Sequence, residues 1–409
     1  MLRLTSAVGL LVLLGLCYLL SRDRKAVSGR LVAVGLLIQL GLGGIFIYWD
    51  TGNAWLRSVG EAVKEFLELS KAGSSFVFGP LGAADGEGAL GFLFATQVLP
   101  TLIFFSSFIA VLYHLGIMQI IVKAMAIVMA RLLGTSGAES LSACSNIFVG
   151  QTEAPLVVRP FLARMTMSEL HAIMTGGFAT IAGGVFALYI GFGADAGHLI
   201  VASVMAVPAG LVCSKILWPE TEESETLGRV VLPEGKDASN TVEAAANGAL
   251  DGLKLALNVG AMLIAFLSLV AVLNLCFGWI EVGQAPLTVG RLLGWLFSPI
   301  AAVMGVQSDE ILTLGQLLGT KIALTELMAY KEMGDLVEAG AISDRTKMIA
   351  SFALCGFANF ASVAIQIGGL SAMAPDRKTD LSRLALRAMV AGAIATCMTA
   401  CMAGVLRDA

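Results

Sequence analysis

The feature that most limits this chain is where its charges are missing. Nine runs of 17 or more residues carry no Asp, Glu, Lys or Arg: 4–21, 31–49, 88–122, 170–194, 196–214, 255–280, 292–308, 348–375 and 388–406. A helix needs about 20 mostly apolar residues to cross a bilayer. A water-soluble surface needs charge spread over all of it. Here 14% of the residues are charged, against about 25% in an ordinary soluble domain. A soluble enzyme, a nucleic-acid binder and a disordered chain are excluded. The net charge of −4 also leaves no polybasic surface for DNA or RNA. The expected fold class is an all-α polytopic membrane protein. The run 292–308 holds Pro299 and barely reaches span length, so it is read as interfacial. Eight transmembrane helices remain.

Two segments, 138–160 and 310–330, are apolar but broken by single charges. They are too polar to face lipid and too apolar for loops, which fits re-entrant hairpins packed inside protein. Residues 55–71 place Val63, Phe66, Leu67 and Leu69 among charges, as an amphipathic interfacial helix does. Only Arg3 precedes the first apolar run, while Arg22, Arg24 and Lys25 follow it, so it reads as a span and not a signal peptide. Seven scattered cysteines form no CxxC pair and three histidines form no HExxH, so neither a zinc site nor metalloprotease chemistry is expected.

With the N-terminus outside, sixteen of the 26 Lys and Arg fall on the inner side. This bias places both termini on the outer, periplasmic face. The chain also echoes itself. Gly177-Phe178-Ala179-Thr180-Ile181-Ala182-Gly183 resembles Gly356-Phe357-Ala358-Asn359-Phe360-Ala361-Ser362, and Arg131-Leu132-Leu133-Gly134 resembles Arg291-Leu292-Leu293-Gly294. A hairpin with one glutamate, Glu153 or Glu326, lies between the marks in each half. Three spans separate the start of one unit from the start of the next, and an odd number inverts one relative to the other. Inverted repeats with broken helices mark secondary transporters, which bind substrate at the repeat interface. The expected organisation is a scaffold of N-terminal spans and interfacial helix (1–87), a first repeat (88–217) containing hairpin 138–160, a cytoplasmic loop (218–253) and a second repeat (254–409) containing hairpin 310–330.

Glu153 is the one charge between residues 140 and 158. A carboxylate at the bilayer centre costs about 2.5–3.5 kcal/mol on insertion scales, so such groups are kept for function or for a partner. Gly150 and Pro155 flank it and favour a helix break. Glu326 lies five residues from Lys321, which leaves open an ion pair within the hairpin. Asn359 and Ser362 are three apart, on one face of a helix. Small polar residues in spans often join neighbouring helices, and Phe357 on sequence alone reads as core. Two carboxylates, a Gln, an Asn and several hydroxyls suit a neutral, polyhydroxylated solute. No arginine lies in either motif, which disfavours an anion such as a nucleotide.

Gly150-Gln151-Thr152-Glu153-Ala154-Pro155, the G-T-K-x-x-x-x-E-x-x-A-Y pattern at 319–330 and the C-G-F-A-N-x-x-S pattern at 355–362 occur in this order. With them the chain resembles the concentrative nucleoside transporters over essentially its whole length. The resemblance implies a sodium-coupled importer, not an enzyme, in a bacterial inner membrane. It implies a homotrimer in which each subunit moves its own transport domain against a scaffold. It places Gln151, Thr152, Glu153 and Val185 at the nucleobase of substrates such as uridine or adenosine. It places Glu326, Asn359, Ser362 and Phe357 at the ribose. A co-transported sodium ion would meet the side chains of Asn146 and Thr180 and the carbonyls of Val149 and Ile181. An all-oxygen shell of that kind suits a hard cation. The family usually shows Asn-Glu-Phe where this chain has Thr325-Glu326-Leu327, so the second carboxylate loses a neighbouring amide. A proton-coupled symporter, with Glu153 or Glu326 titrating, is the alternative mechanism. An intramembrane enzyme is disfavoured by the lack of a Ser/Lys pair.

Overall fold

The structure, a computed structural model, describes residues 1–82, 93–231, 238–282 and 285–407. The expected boundary at 87/88 and the start of the run 88–122 lie outside these residues. In chain order the helices are α1 (Leu2–Leu19), α2 (Gly29–Gly43), α3 (Asp50–Glu68), α4 (Ser70–Phe78), α5 (Leu99–His114) and α6 (Ile117–Leu133). Then follow α7 (Gly137–Ser145), α8 (Arg159–Leu162), α9 (Met167–Ala179), α10 (Gly183–Gly191), α11 (Ala196–Leu217) and α12 (Thr241–Phe277). The last six are α13 (Val289–Val303), α14 (Ile311–Ala323), α15 (Glu326–Glu338), α16 (Asp344–Leu354), α17 (Phe360–Met373) and α18 (Lys378–Leu406).

In so apolar a chain, polar residues at the helix starts set the boundaries. Ser136 and Thr166 each close a capping box, with Glu139 on α7 and Glu169 on α9. Asn240, Thr325, Ser343 and Asn359 accept an amide three residues on, at the starts of α12, α15, α16 and α17. These caps satisfy orphan N–H groups that lipid cannot.

Among the described residues, seven helices are long and apolar enough to cross a membrane: Leu2–Leu19, Gly29–Tyr48, Phe94–His114, Met167–Gly191, Ala196–Leu217, Thr241–Phe277 and Pro375–Leu406. The run 348–375 is divided between α16 and α17, with residues 355–359 unwound between them. The span Met167–Gly191 is broken in the same way at Thr180–Ala182, between α9 and α10.

Several boundaries differ from expectation. The run 88–122 ends its span at His114, where Gly116 (φ 81°) turns the chain into α6. The loop expected over 218–253 is shorter, because the Asn240 cap and an alanine-rich stretch start α12 at Thr241. The second hairpin extends past 330 to Glu338, where the charged residues Lys331, Asp335 and Glu338 lie on its outer turns. The Arg-Leu-Leu-Gly echo is not a structural equivalence. Gly134 ends α6 in the left-handed region (φ 71°), whereas Gly294 sits inside α13. The echo at 177–183 and 356–362 does fall on two matching breaks. α13 packs along α14, where a methyl on Gly315 would stand 2.6 Å from the Gly294 carbonyl oxygen.

Burial divides the helices. α11 is 89% buried over its apolar window, while the corresponding window of α12 has no buried residue. α9, α11, α16 and α18 therefore form the interior around the two breaks. α5 and α12 pack on each other at the periphery, where Gly248 and Gly252 admit the α5 backbone: a methyl on Gly252 would lie 2.7 Å from Leu102 O.

Candidate substrate and cation site

The first hairpin is α7, a non-helical tip at 146–153, a short 3-10 turn at Ala154–Val158 and α8. Pro155 sits at the start of that turn, where its missing N–H costs nothing. The tip packs on the broken span: the Gly183 amide donates to the Phe148 carbonyl at 3.2 Å. Asn146 Nδ2 donates to Ser142 O at 3.1 Å, but its Oδ1 is buried and has no partner among the described residues. Asn146 lies over Gly176, whose absent side chain leaves 3.3 Å to Nδ2. Gly176 O accepts the Thr180 hydroxyl at 2.8 Å. Among the described residues no amide donates to Val149 O or Ile181 O. Asn146, Thr180, Val149 and Ile181 therefore bring only oxygen acceptors to the junction of hairpin tip and helix break. A buried acceptor left unpaired is costly, and a desolvated cation bound there would supply what is missing. The donor set fits sodium.

The two breaks lie against each other. The Phe357 amide donates to Thr180 O at 3.2 Å, and a methyl on Gly356 would meet Phe178 O at 2.7 Å. Asn359 is the N-cap of α17, not a residue of its face: its Oδ1 accepts the Ser362 amide at 2.8 Å. That bond turns Nδ2 towards Glu326 Oε2, also at 2.8 Å. The Tyr189 hydroxyl donates to the other oxygen, Oε1, at 3.0 Å. Glu326 is buried at the first position of α15. Thr325, where the family's asparagine is absent, still caps this helix by accepting the Met328 amide. Ser362 is buried beside Asn359, and Phe357 is half-buried.

Lys321 forms no ion pair with Glu326. Its ammonium donates to Ala353 O at 2.8 Å and to the Thr396 hydroxyl at 2.9 Å, joining hairpin 2 to α16 and α18. The hydrogen-bond partners of Glu326 among the described residues, Tyr189 and Asn359, are neutral donors.

At the first tip, Gln151 is buried and its Oε1 accepts from Gln366 at 3.0 Å. The Thr152 hydroxyl donates to Glu153 Oε1 at 2.9 Å, and Thr152 packs on Gly369 of α17. Glu153 is exposed, so of the two carboxylates expected in a low-dielectric interior only Glu326 is buried. Val185 is buried in α10. α17 thus spans the site, with Asn359 and Glu326 at its start and Gln366 and Gln151 two turns on. Sequence reasoning missed Tyr189 and Gln366. Both stand in uncharged runs, where a phenol or an amide needs a partner.

Known proteins agree with this architecture. Residues 198–404 match the family model "Na+ dependent nucleoside transporter C-terminus". Residues 8–81 match its N-terminal counterpart, and residues 95–196 match a model described as "Nucleoside recognition". An uncharacterized transporter of Haemophilus influenzae is 45% identical over 98% of this chain and 97% of its own. Sodium/nucleoside cotransporter 1 of Homo sapiens is 42% identical over 99% of this chain and 64% of its own. Among solved structures, CNTnw in an inward-facing substrate-bound state superposes with a TM-score of 0.93 at 44% identity, covering 99% of this chain and 98% of that one. A CNTnw variant in an outward-facing state gives 0.92 at 43% identity, over 99% and 98%. The chain is a multi-pass membrane protein of the sodium-dependent nucleoside transporter family, not an enzyme.

Proposed function

We propose that this chain imports nucleosides such as uridine or adenosine across a bacterial inner membrane, each with a sodium ion moving inward, and that it works as a homotrimer with both termini on the periplasmic side. The observation that carries this reading is the pairing of Glu326 with Tyr189 and Asn359. Each carboxylate oxygen has one partner and keeps a second lone pair. Two acceptors a carboxylate's width apart suit the vicinal hydroxyls of a ribose, and charge-assisted bonds of this kind are strong. Ser362 and Phe357 complete the sugar side. Seven residues along α17, roughly 10 Å, lie Gln151, Thr152 and Glu153 for the base edge, with Val185 packing beside it. One sugar ring and one base fill that interval.

Sodium occupies the oxygen cluster of Asn146, Val149, Thr180 and Ile181. Its binding holds the first tip against the broken span and so completes the base side. The α5 and α12 pair, exposed in one subunit, supplies the trimer contact and joins the N-terminal spans (1–87) in the scaffold. The resemblance to both inward- and outward-facing relatives favours an elevator motion of the helices that carry the two hairpins and the two breaks. The deciding experiment is uptake of labelled uridine and adenosine into proteoliposomes, with sodium and pH gradients imposed separately. Accumulation driven by sodium alone is expected. Uptake that ignores sodium and follows the pH gradient selects proton coupling, and equilibration without accumulation selects a passive pore.

A further inference from the structure

We propose that Gln366 sets the polarity with which Gln151 meets the nucleobase, and so selects the base edges that bind; this rests on the reading of Gln151 as a base contact. Gln366 lies in α17 on the same buried face as Ser362 and is 1% exposed. Its Nε2 stands 3.1 Å from Met174 O and 3.0 Å from Gln151 Oε1. A main-chain carbonyl can only accept. The Gln366 atom that faces it is therefore the amide nitrogen. The second N–H of that nitrogen points at Gln151, and a donor cannot face a donor. Gln151 has to turn its oxygen towards Gln366. Among the described residues its side chain makes no other hydrogen bond. The group that Gln151 turns away from Gln366 is its NH2, which only donates.

The rest of the tip has the opposite sense. The Thr152 hydroxyl hydrogen is used on Glu153, so Thr152 and Glu153 offer acceptors. The tip presents one donor followed by acceptors. The complementary base edge is an acceptor beside a donor, as in the carbonyl–imide edge of uracil or the ring-nitrogen–amine edge of adenine. Two further observations favour a functional role over simple helix joining. Gln366 Oε1 is buried without a partner among the described residues, a desolvation cost that an apolar side chain would avoid. The α9 surface is cut back at Gly177 to admit both amides: a methyl there would lie 2.6 Å from Gln366 Nε2 and 2.9 Å from Gln151 Cβ.

The test is a double-mutant cycle on uridine uptake in proteoliposomes at saturating sodium. Gln366→Leu is expected to raise KM about tenfold, the loss of one aligned polar contact. Maximal rate and sodium half-saturation should stay within about twofold. Gln366→Met, of similar length and without a donor, should behave alike. Gln151→Ala should raise KM to a similar extent, and adding Gln366→Leu to it should change nothing more. A further multiplicative loss in the Gln151→Ala background overturns the proposal while leaving the base contact standing. An unchanged KM for Gln151→Ala removes the base contact, and the proposal with it. An unchanged KM for Gln366→Leu also overturns it. Should neither Gln366 variant reach the membrane, the unmodified protein decides. A fixed donor predicts that 2-thiouridine or 4-thiouridine, with a weaker acceptor at one position, has a KM raised at least about threefold over uridine. Equal KM for all three nucleosides overturns the proposal.

Discussion

At the residue scale, the site depends on groups that are half-satisfied. Glu326 holds one donor at each oxygen and Asn146 holds none at Oδ1. Glu326→Gln replaces one acceptor by an NH2, which then faces either the Tyr189 hydroxyl or the Asn359 amide. A hydrogen bond to a charged group contributes about 1.5–3 kcal/mol. Uridine KM should rise at least tenfold on that basis, taking about 1.4 kcal/mol per decade. Concentration-dependent uptake checks this, and an unchanged KM would exclude Glu326 as the sugar's acceptor. Asn146→Ala deletes the one orphaned side-chain oxygen at the cation cluster. The sodium concentration for half-maximal uptake should rise, with the maximal rate recovered at high sodium. A sodium titration at fixed uridine measures it, and an unaltered midpoint would remove Asn146 from the ion's shell.

At the element scale, the two unwound segments work as a pair. They touch where Phe357 donates to Thr180 and where Gly356 lies against the Phe178 and Ala179 carbonyls. Gly356→Ala would bring a methyl within 2.7–2.9 Å of those oxygens and of Thr396 Cγ2. Overpacking of this kind costs about 1–3 kcal/mol. The variant should melt at a lower temperature in detergent and transport poorly at every sodium concentration. Wild-type melting and uptake would show that the breaks need no close approach. Much of this was readable beforehand. Isolated charges mark the segments that hold α7–α8 and α14–α15, and the repeated Gly-Phe-Ala falls on both breaks, although the pattern by itself put Asn359 on a helical face. What was not readable depends on contacts between distant segments. Lys321 and Glu326 are close in sequence, yet Lys321 turns away to Ala353 and Thr396. Tyr189 reaches Glu326 across more than a hundred residues. The loop after α11 is shorter than the expected 218–253 because the Asn240 cap starts α12 at Thr241.

At the scale of the whole molecule, the ion sets the limit of the work. One sodium crossing a potential of about 100 mV releases about 2.3 kcal/mol. A tenfold sodium gradient adds about 1.4 kcal/mol. Together these sustain nucleoside accumulation on the order of a few hundredfold at one ion per substrate. The plateau reached in proteoliposomes under those gradients should approach that value, and a plateau far above it would require more than one ion. The contact between the breaks adds a condition on this economy. Thr180, proposed to face the cation, is hydrogen-bonded through its carbonyl to the segment that holds Asn359, proposed to meet the sugar. On the proposed reading, ion and sugar therefore grip two segments of backbone that are bonded to each other. Whatever factor the ion adds to nucleoside affinity, the nucleoside must return to the ion. A carrier geared in this way slips little: an ion alone, or a sugar alone, leaves the crossing half-formed, and the gradient is not drained by empty strokes.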